Sequence, residues 1–187
     1  MRLVRILATL AAALYGCGRP DSVVFGAFNG AIIPEVRSAI HGDAQVEIAP
    51  NNKVPMSVIL LSDTPGLCAK LAQHADFFRV SYGVATTMVL IIPQGTLGAF
   101  GPGQSNATAE IVVDLPLPDG GTTNAAIGFP AVNGQGIISI AQLNTGNGGE
   151  AKGSFDVLIF DRNQLPHEFS GNFKSTFCDA IANVTLP

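Results

Sequence analysis

The chain has 187 residues, of which 47% are hydrophobic and only 13% charged, with 21 glycines, 12 prolines and no tryptophan. That length suits one domain with a sizeable core, and the charge-poor composition, rich in Gly and Pro, suits short strands joined by tight turns better than helices. Ten basic against fourteen acidic residues give −4, and loss of Arg2 and Arg5 with a leader moves the remainder to about −6 with no basic cluster; this excludes the clustered Lys and Arg footprint of a nucleic-acid binder.

The N-terminus carries Arg2 and Arg5, then an apolar run to Leu14, then Tyr15-Gly16-Cys17. The run falls far short of the roughly 20 apolar residues that span a bilayer, so residues 1–16 read as a cleaved signal peptide. Cysteine directly after a small residue at the end of such a run resembles the bacterial lipobox. There the Cys17 thiol would carry diacylglycerol and palmitate-type chains. Tyr15 is the one larger residue where that pattern has a small one. Two or more acyl chains, at about 0.8 kcal/mol per buried methylene, make a stable anchor. Residues 17–22 then form a tether, and residues 23–187 the domain. Gly18 and Arg19 put no acid beside the lipid, which by resemblance to known sorting rules directs the protein to the outer membrane.

From Ser22 onward the pattern alternates with period two or runs apolar, broken by Gly, Pro, Asn and Asp. Strands are expected over 23–33, 45–49, 56–61, 77–82, 87–92, 107–115, 125–129, 136–143, 153–160 and 168–177. Ten runs at such spacing argue for an all-β fold, an antiparallel sandwich or barrel-like sandwich of about 8–10 strands. Met56-Ser-Val-Ile-Leu-Leu61 and Met88-Val-Leu-Ile-Ile92 are apolar on both faces and read as central strands. Glu110, Val112 and Asp114 share one face of their run, an edge-strand signature. Gly98-Ala-Phe-Gly-Pro-Gly103, Asp119-Gly-Gly-Thr122 and Asn144-Thr-Gly-Asn-Gly-Gly149 read as turns and loop tips. The first lacks the spacing and the following helix of a phosphate cradle.

The single helical pattern is Ser62-Asp-Thr-Pro-Gly-Leu-Cys-Ala-Lys-Leu-Ala-Gln-His74. Thr64 is the expected N-cap and Pro65 the first helical residue, with Leu67, Cys68 and Leu71 on one face turned to the sheet. Cys68 therefore points inward, and Cys178 is the other cysteine left once Cys17 is lipidated. In an exported chain two remaining cysteines pair; the alternative is two buried thiols. The bond would close a loop of more than a hundred residues.

Cys178 ends an expected hairpin. Gly153-Ser-Phe155 opens one apolar run and Gly171-Asn-Phe173 lies within the other, with turn-forming residues between. Together with Ser62-Asp-Thr-Pro-Gly-Leu-Cys68 and the early Phe28-Asn-Gly30, these runs resemble a group of uncharacterised Gram-negative lipoproteins. That group has a lipobox, a Leu-Cys helix, and a terminal glycine-x-phenylalanine hairpin ending in cysteine. The resemblance implies an extracytoplasmic β-rich domain with its helix stapled to its last strand, and implies no activity. Where the group often carries aspartate this chain has Lys174, so no acid chemistry is assigned there.

Three histidines stand near acids: His41 with Asp43, His74 with Asp76 and His167 with Glu168. All three are expected in loops or on the surface. His41-x-Asp43 puts two side chains on one strand face, the start of a metal or acid–base site, yet no His-Glu-x-x-His completes it. There is no Gly-x-Ser-x-Gly, and Ser139 and Ser154 read as polar strand positions. Asp114 and Asp119 lack the alternating acids of a calcium loop. The sequons at Asn106 and Asn183 carry no meaning in a bacterial lipoprotein.

Two expectations of different class follow. The first is a lipid-anchored, non-catalytic envelope module that needs no cofactor or metal and meets the membrane through Cys17 and a protein, glycan or lipid ligand through its domain. The second is an exported hydrolase built on His41 and Asp43, which would require a nucleophile and an open cleft beside that pair.

Overall fold

The computed structural model describes residues 21–28, 31–32, 35–75, 86–101, 107–116, 122–127, 136–160 and 164–184. Among these lie eleven strands: β1 (Val23–Phe28), β2 (Ala31–Ile32), β3 (Ser38–Ala49), β4 (Asn52–Ser62), β5 (Thr87–Pro93), β6 (Gly98–Phe100), β7 (Thr108–Pro116), β8 (Thr122–Ile127), β9 (Gly136–Leu143), β10 (Glu150–Phe160) and β11 (Pro166–Phe177). A helix α1 (Leu67–Gln73) follows β4, and a 3-10 helix (Asp179–Asn183) follows β11. The fold is all-β, as the composition implies.

The sheet runs β6-β9-β10-β11-β3-β4-β5-β7-β8, with β1 alongside β11 and β2 alongside β1. It does not close on itself. It bends at β11, so that β9, β10 and β11 pack face to face against β4, β5 and β7, and β10 approaches β7 across the interior. Ile59, Leu61, Met88, Leu90, Ile92 and Ile111 from one half meet Ile138, Phe155, Val157, Ile159, Phe169 and Phe173 from the other. A second core lies on the opposite face of β3, β4, β5 and β7. There Ile40, Val58, Leu60, Val89 and Ile91 are covered by Leu67 and Leu71 of α1 and by Ala180, Ile181 and Val184 at the C-terminus. Three layers result among the described residues: a half-sheet whose outer face none of them covers, a half-sheet buried on both faces, and a thin helical cover.

The continuous apolar runs at β4 and β5 fit this arrangement, since only strands with cores on both sides lack alternation. The helical cover is held by the disulfide between Cys68 and Cys178, with Cα atoms 5.8 Å apart and 110 residues between them in sequence. At Gly42 a Cβ atom would lie 2.6 Å from the Cys178 carbonyl oxygen and 3.0 Å from Ile181 Cβ, so glycine lets the 3-10 helix settle on β3.

β11 is the hub. One of its edges pairs with β10 along its whole length, from Glu150↔Thr176 to Phe160↔Pro166. The other edge is shared: β1 runs antiparallel to 169–172, and β3 joins in parallel at Thr176↔Ile40 and Phe177↔His41. In the gap between them, Ser22 Oγ donates to the Lys174 carbonyl at 3.1 Å and accepts from the Lys174 N–H at 3.0 Å. One side chain thus satisfies both main-chain groups that the two strands leave unpaired.

Several sequence expectations are corrected. The sheet is mixed, with β11 and β3 parallel. The run 23–33 is two strands that pair at Ala27↔Ile32 and Phe28↔Ala31, and 45–49 is the end of a strand that begins at Ser38. Gly98–Phe100, read as a turn, pairs with β9. The run 77–82 lies outside the described residues. β7 is not an edge, because β5 and β8 flank it. Neither Thr64 nor Pro65 starts the helix: Gly66 takes a left-handed conformation at φ 67° as N-cap, and Ser38 Oγ on β3 accepts the Leu67 N–H at 3.2 Å. Residues 62–64 are tied instead to β5, with Thr87 Oγ1 donating to Ser62 Oγ, the Thr64 N–H donating to the same oxygen, and Asp63 accepting from the Thr86 N–H.

Candidate functional site

His41 and Asp43 sit on β3, facing away from Ile40 and Ala44 and hence toward the interior between the half-sheets. The His41 side chain is fully buried, which corrects the surface position expected for it. Its Nε2 lies 3.0 Å from the Asn144 carbonyl, which can only accept, so Nε2 carries the proton and donates. Nδ1 then accepts from Ser175 Oγ at 3.1 Å, and Phe177 meets the ring edge-on with centroids 5.8 Å apart. Burial holds the imidazole below its ordinary pKa, against the raising effect of the Asn144 contact and of Asp43. His41 is a neutral cross-tie between β3, β11 and the β9–β10 loop.

Asp43 does not contact that ring. Its Oδ1 accepts from Ser57 Oγ at 2.7 Å and its Oδ2 from Gln94 Nε2 at 3.0 Å, while Ser57 Oγ also accepts the Gly95 N–H. The cleft beside it measures about 140 Å3 and is lined by Ala44, Gln45, Pro55, Gln94 and Ala182. Imidazole, carboxylate and hydroxyls are each spent on anchoring backbone or neighbouring side chains. His74 lies at the C-terminal end of α1 and His167 opposite Ile159 on β11, so the three histidines occupy separate elements. Among the described residues the one group of clustered metal-ligand atoms is Cys68, Cys178 and Asp179, whose sulfurs are already joined to each other. Cys17, Asp76, Asn106 and Asp119 lie outside the described residues. Asn183 is exposed at the end of the 3-10 helix.

The more open region is the bare outer face of β9, β10, β11 and β1. Its rows follow from the register. Lys152 opposes Lys174; Ser139, Ser154, Asn172 and Val23 form the next row; Ile137, Asp156, Ser170 and Phe25 form a third. Like charges directly opposite on a sheet repel. Here both lysines reach Glu150, Lys174 Nζ at 3.1 Å and Lys152 Nζ at 3.3 Å. The hydrogen bond from Lys174, then that from Lys152, holds the Glu150 carboxyl below its ordinary value. A groove of about 430 Å3 runs over these residues, with Asp21, Lys152, Ser154, Asn172 and Lys174 among its lining. A second hollow of about 380 Å3, lined by Ile137, Asp156, Leu158 and Glu168, continues it toward the hairpin tip.

Comparison with family models, with characterised proteins and with solved structures finds no match to this chain. Its function therefore rests on its own chemistry.

One ionisable group, read in the sequence only as part of an edge-strand pattern, is buried instead. Glu110 faces the helix-covered side of β7, opposite Val89 and in line with Val112, and burial raises its carboxyl to about 7. Beside it Thr108 Oγ1 is buried with no hydrogen-bond partner. The raised value favours the protonated native state, so this stability is complete below the ordinary 4.5 and is lost as pH climbs to about 7, a change on the order of 3 kcal/mol. His41 acts in the opposite sense. Its lowered value resists protonation in the fold, so stability falls as pH drops below its ordinary 6.5, by at most about 1.4 kcal/mol per pH unit. Below pH 6.5, for as long as His41 stays neutral in the fold, the slopes oppose each other. Urea titrations of Glu110→Gln are expected to show greater stability than wild type at pH 8 and, unlike wild type, a steady decline below pH 6.5. Parallel pH profiles for the two proteins would refute the assignment.

Proposed function

We propose that this chain is a lipid-anchored envelope protein of a Gram-negative bacterium, with residues 1–16 as a signal peptide, Cys17 as the acylated residue, residues 17–22 as a tether, and the β domain as a non-catalytic binding or structural module on the outer membrane. The observation that carries this reading is the Cys68–Cys178 bond. Stable disulfides belong to oxidising compartments. Export in turn makes the apolar run before Cys17 a leader, and leaves Cys17 as the remaining cysteine, placed where a lipobox has its own.

The non-catalytic part rests on the state of the polar groups at the His41 and Asp43 positions. Both are engaged in hydrogen bonds that tie strands together; the cleft beside Asp43 is small, about 140 Å3, and the two larger hollows are open grooves over a sheet face. Attachment is assigned to the lipid on Cys17, the residue at the lipobox position; no described helix is long and apolar enough to cross a membrane.

Fractionation of cells making Cys17→Ser tests the anchor. The variant is expected to leave the carbonate-washed membrane pellet and to lose the mass of diacylglycerol and its acyl chains, along with incorporation of a labelled palmitate analogue. Retention of Cys17→Ser in the washed pellet would overturn the reading.

A further inference from the structure

We propose that the outer face of β9, β10, β11 and β1 binds an extended, uncharged glycan, with Ser139, Ser154 and Asn172 bonding successive sugar rings and Phe25 stacking on one of them. This rests on the reading of the domain as a binding module, and the site itself does not involve Cys17. The polar groups of this face are unspent. Other described serines are tied to the protein: Ser22 to Lys174, Ser38 to the Leu67 N–H, Ser57 to Asp43, Ser62 to Thr87 and Ser175 to His41. Ser139, Ser154, Ser170 and Asn172 make no hydrogen bond with the described chain, and Ser154 and Asn172 are exposed. Ser139, Ser154 and Asn172 stand in one row across three strands, and neighbouring strands lie about 4.8 Å apart. One pyranose lengthens an extended glycan by a similar step, so each ring meets one side chain. The groove of about 430 Å3 follows this row, with the small side chain of Ala141 in its lining.

Charge selects the occupant. Asp21, Glu150, Asp156 and Glu168 share this surface with Lys152 and Lys174, so it is net negative and disfavours phosphates and anionic glycans. Both lysines are engaged with Glu150, at 3.3 and 3.1 Å. At the other end Asp156 and Glu168 offer acceptors suited to sugar hydroxyls. A peptide would add its main chain to a free strand edge, whereas β10 lies between β9 and β11, and β11 between β10 and β1, with both edges in ladders. Only side chains are on offer. Phe25, 64% exposed on β1, and Ile137, 45% exposed on β9, end the next row. Apolar and aromatic side chains beside a few placed polar groups are the usual lining of a ligand site, and a phenyl ring matches the C–H face of a pyranose.

The chain has no tryptophan, so Phe25→Trp keeps an aromatic ring in place and reports its surroundings. Ile48→Trp, near the tip of the β3–β4 hairpin, is the remote control. Each full-length protein, in a detergent without sugar headgroups, is titrated with cellohexaose, chitohexaose and maltohexaose. Phe25→Trp emission is expected to shift to the blue, saturably, with cellohexaose or chitohexaose and not with maltohexaose, whose α-links coil the chain. Ile48→Trp is expected to emit as before. Adding Ser154→Ala or Asn172→Ala to Phe25→Trp is expected to weaken binding several-fold while the urea midpoint stays in place. Phe25→Trp carrying Cys17→Ser is expected to bind equally well, so loss of the anchor in fractionation and loss of glycan binding are read separately. No saturable response to cellohexaose or chitohexaose overturns the glycan face and leaves the anchor standing. A response that neither Ser154→Ala nor Asn172→Ala weakens overturns it too, by placing the sugar elsewhere. A response to a lysine-rich peptide in place of the sugars would give the face to a basic protein partner and overturn the proposal.

Discussion

Replacing both Cys68 and Cys178 by alanine is expected to lower the unfolding free energy by about 4–5 kcal/mol, the chain-entropy value for a closed loop of 110 residues. Entropy in the unfolded chain is one part of that effect. The bond also joins the two pieces of the thin cover, a seven-residue helix and a five-residue 3-10 helix. Helices this short do not persist alone. Leu67, Leu71, Ala180 and Ile181 hold them on the face formed by Val58, Leu60, Val89 and Ile91. Equilibrium urea unfolding of the double variant and of wild type, both without reductant, measures the difference. A loss below about 1 kcal/mol would show that packing alone keeps the cover seated and that the bond adds little to it.

Gly171→Ala is expected to destabilise the domain by about 3 kcal/mol or more, the upper end of overpacking effects. A Cβ there would strike the Val23 carbonyl oxygen and lie 2.9 Å from Phe155 Cζ. The reason is a reciprocal arrangement. Gly153 opposes Phe173 and Gly171 opposes Phe155 across the β10–β11 ladder, so each phenylalanine ring lies over the other strand's glycine. Gly26 opposes Phe169 in the same way between β1 and β11. Three glycines leave the room into which three inward rings pack, and two of those rings are the ones in the repeated glycine-x-phenylalanine motif. Ser154→Ala, exposed between Gly153 and Phe155, is the matched control and is expected to change stability by less than about 0.5 kcal/mol. If Gly171→Ala unfolds within about 1 kcal/mol of wild type, the rings do not rest on the glycines in this way.

How much of this was legible in the residues varies with the range of the interaction. Met56–Leu61 and Met88–Ile92 announced central strands because burial on two faces removes alternation. The final hairpin was readable from two apolar runs about a turn, and the pairing of Cys68 with Cys178 from an expected export and a count of cysteines. The parallel contact of β11 with β3 was not, since it is set by two register pairs between segments far apart in sequence. Nor was the burial of His41: within Ser38–Ala49 it alternates like any exposed polar residue, and its partners Asn144 and Ser175 come from distant loops and strands. Gly66 as N-cap was hidden by the Thr64-Pro65 pair before it, whose capping chemistry is good but whose Thr64 N–H is bound by Ser62 Oγ, itself tied to Thr87 of β5. For the site, the residues pointed to His41 and Asp43, where the structure has a cross-tie and a turn anchor. The outer face of β9, β10, β11 and β1 has no local signature, because its rows form only when four strands are laid side by side.

The two hydrogen bonds between Ser22 and Lys174 have a mechanical meaning as well. Any force transmitted through the preceding residues enters the domain at Ser22 and is passed along β1, which lies antiparallel to β11 from Val23↔Asn172 to Gly26↔Phe169. Tension directed along β1 loads that ladder in shear, with its hydrogen bonds sharing the pull, and the clasp at Lys174 has to yield before the first rung of the ladder carries it alone. The domain is thus gripped at the hub strand, and a pull on the chain before Ser22 strains the best-connected part of the sheet.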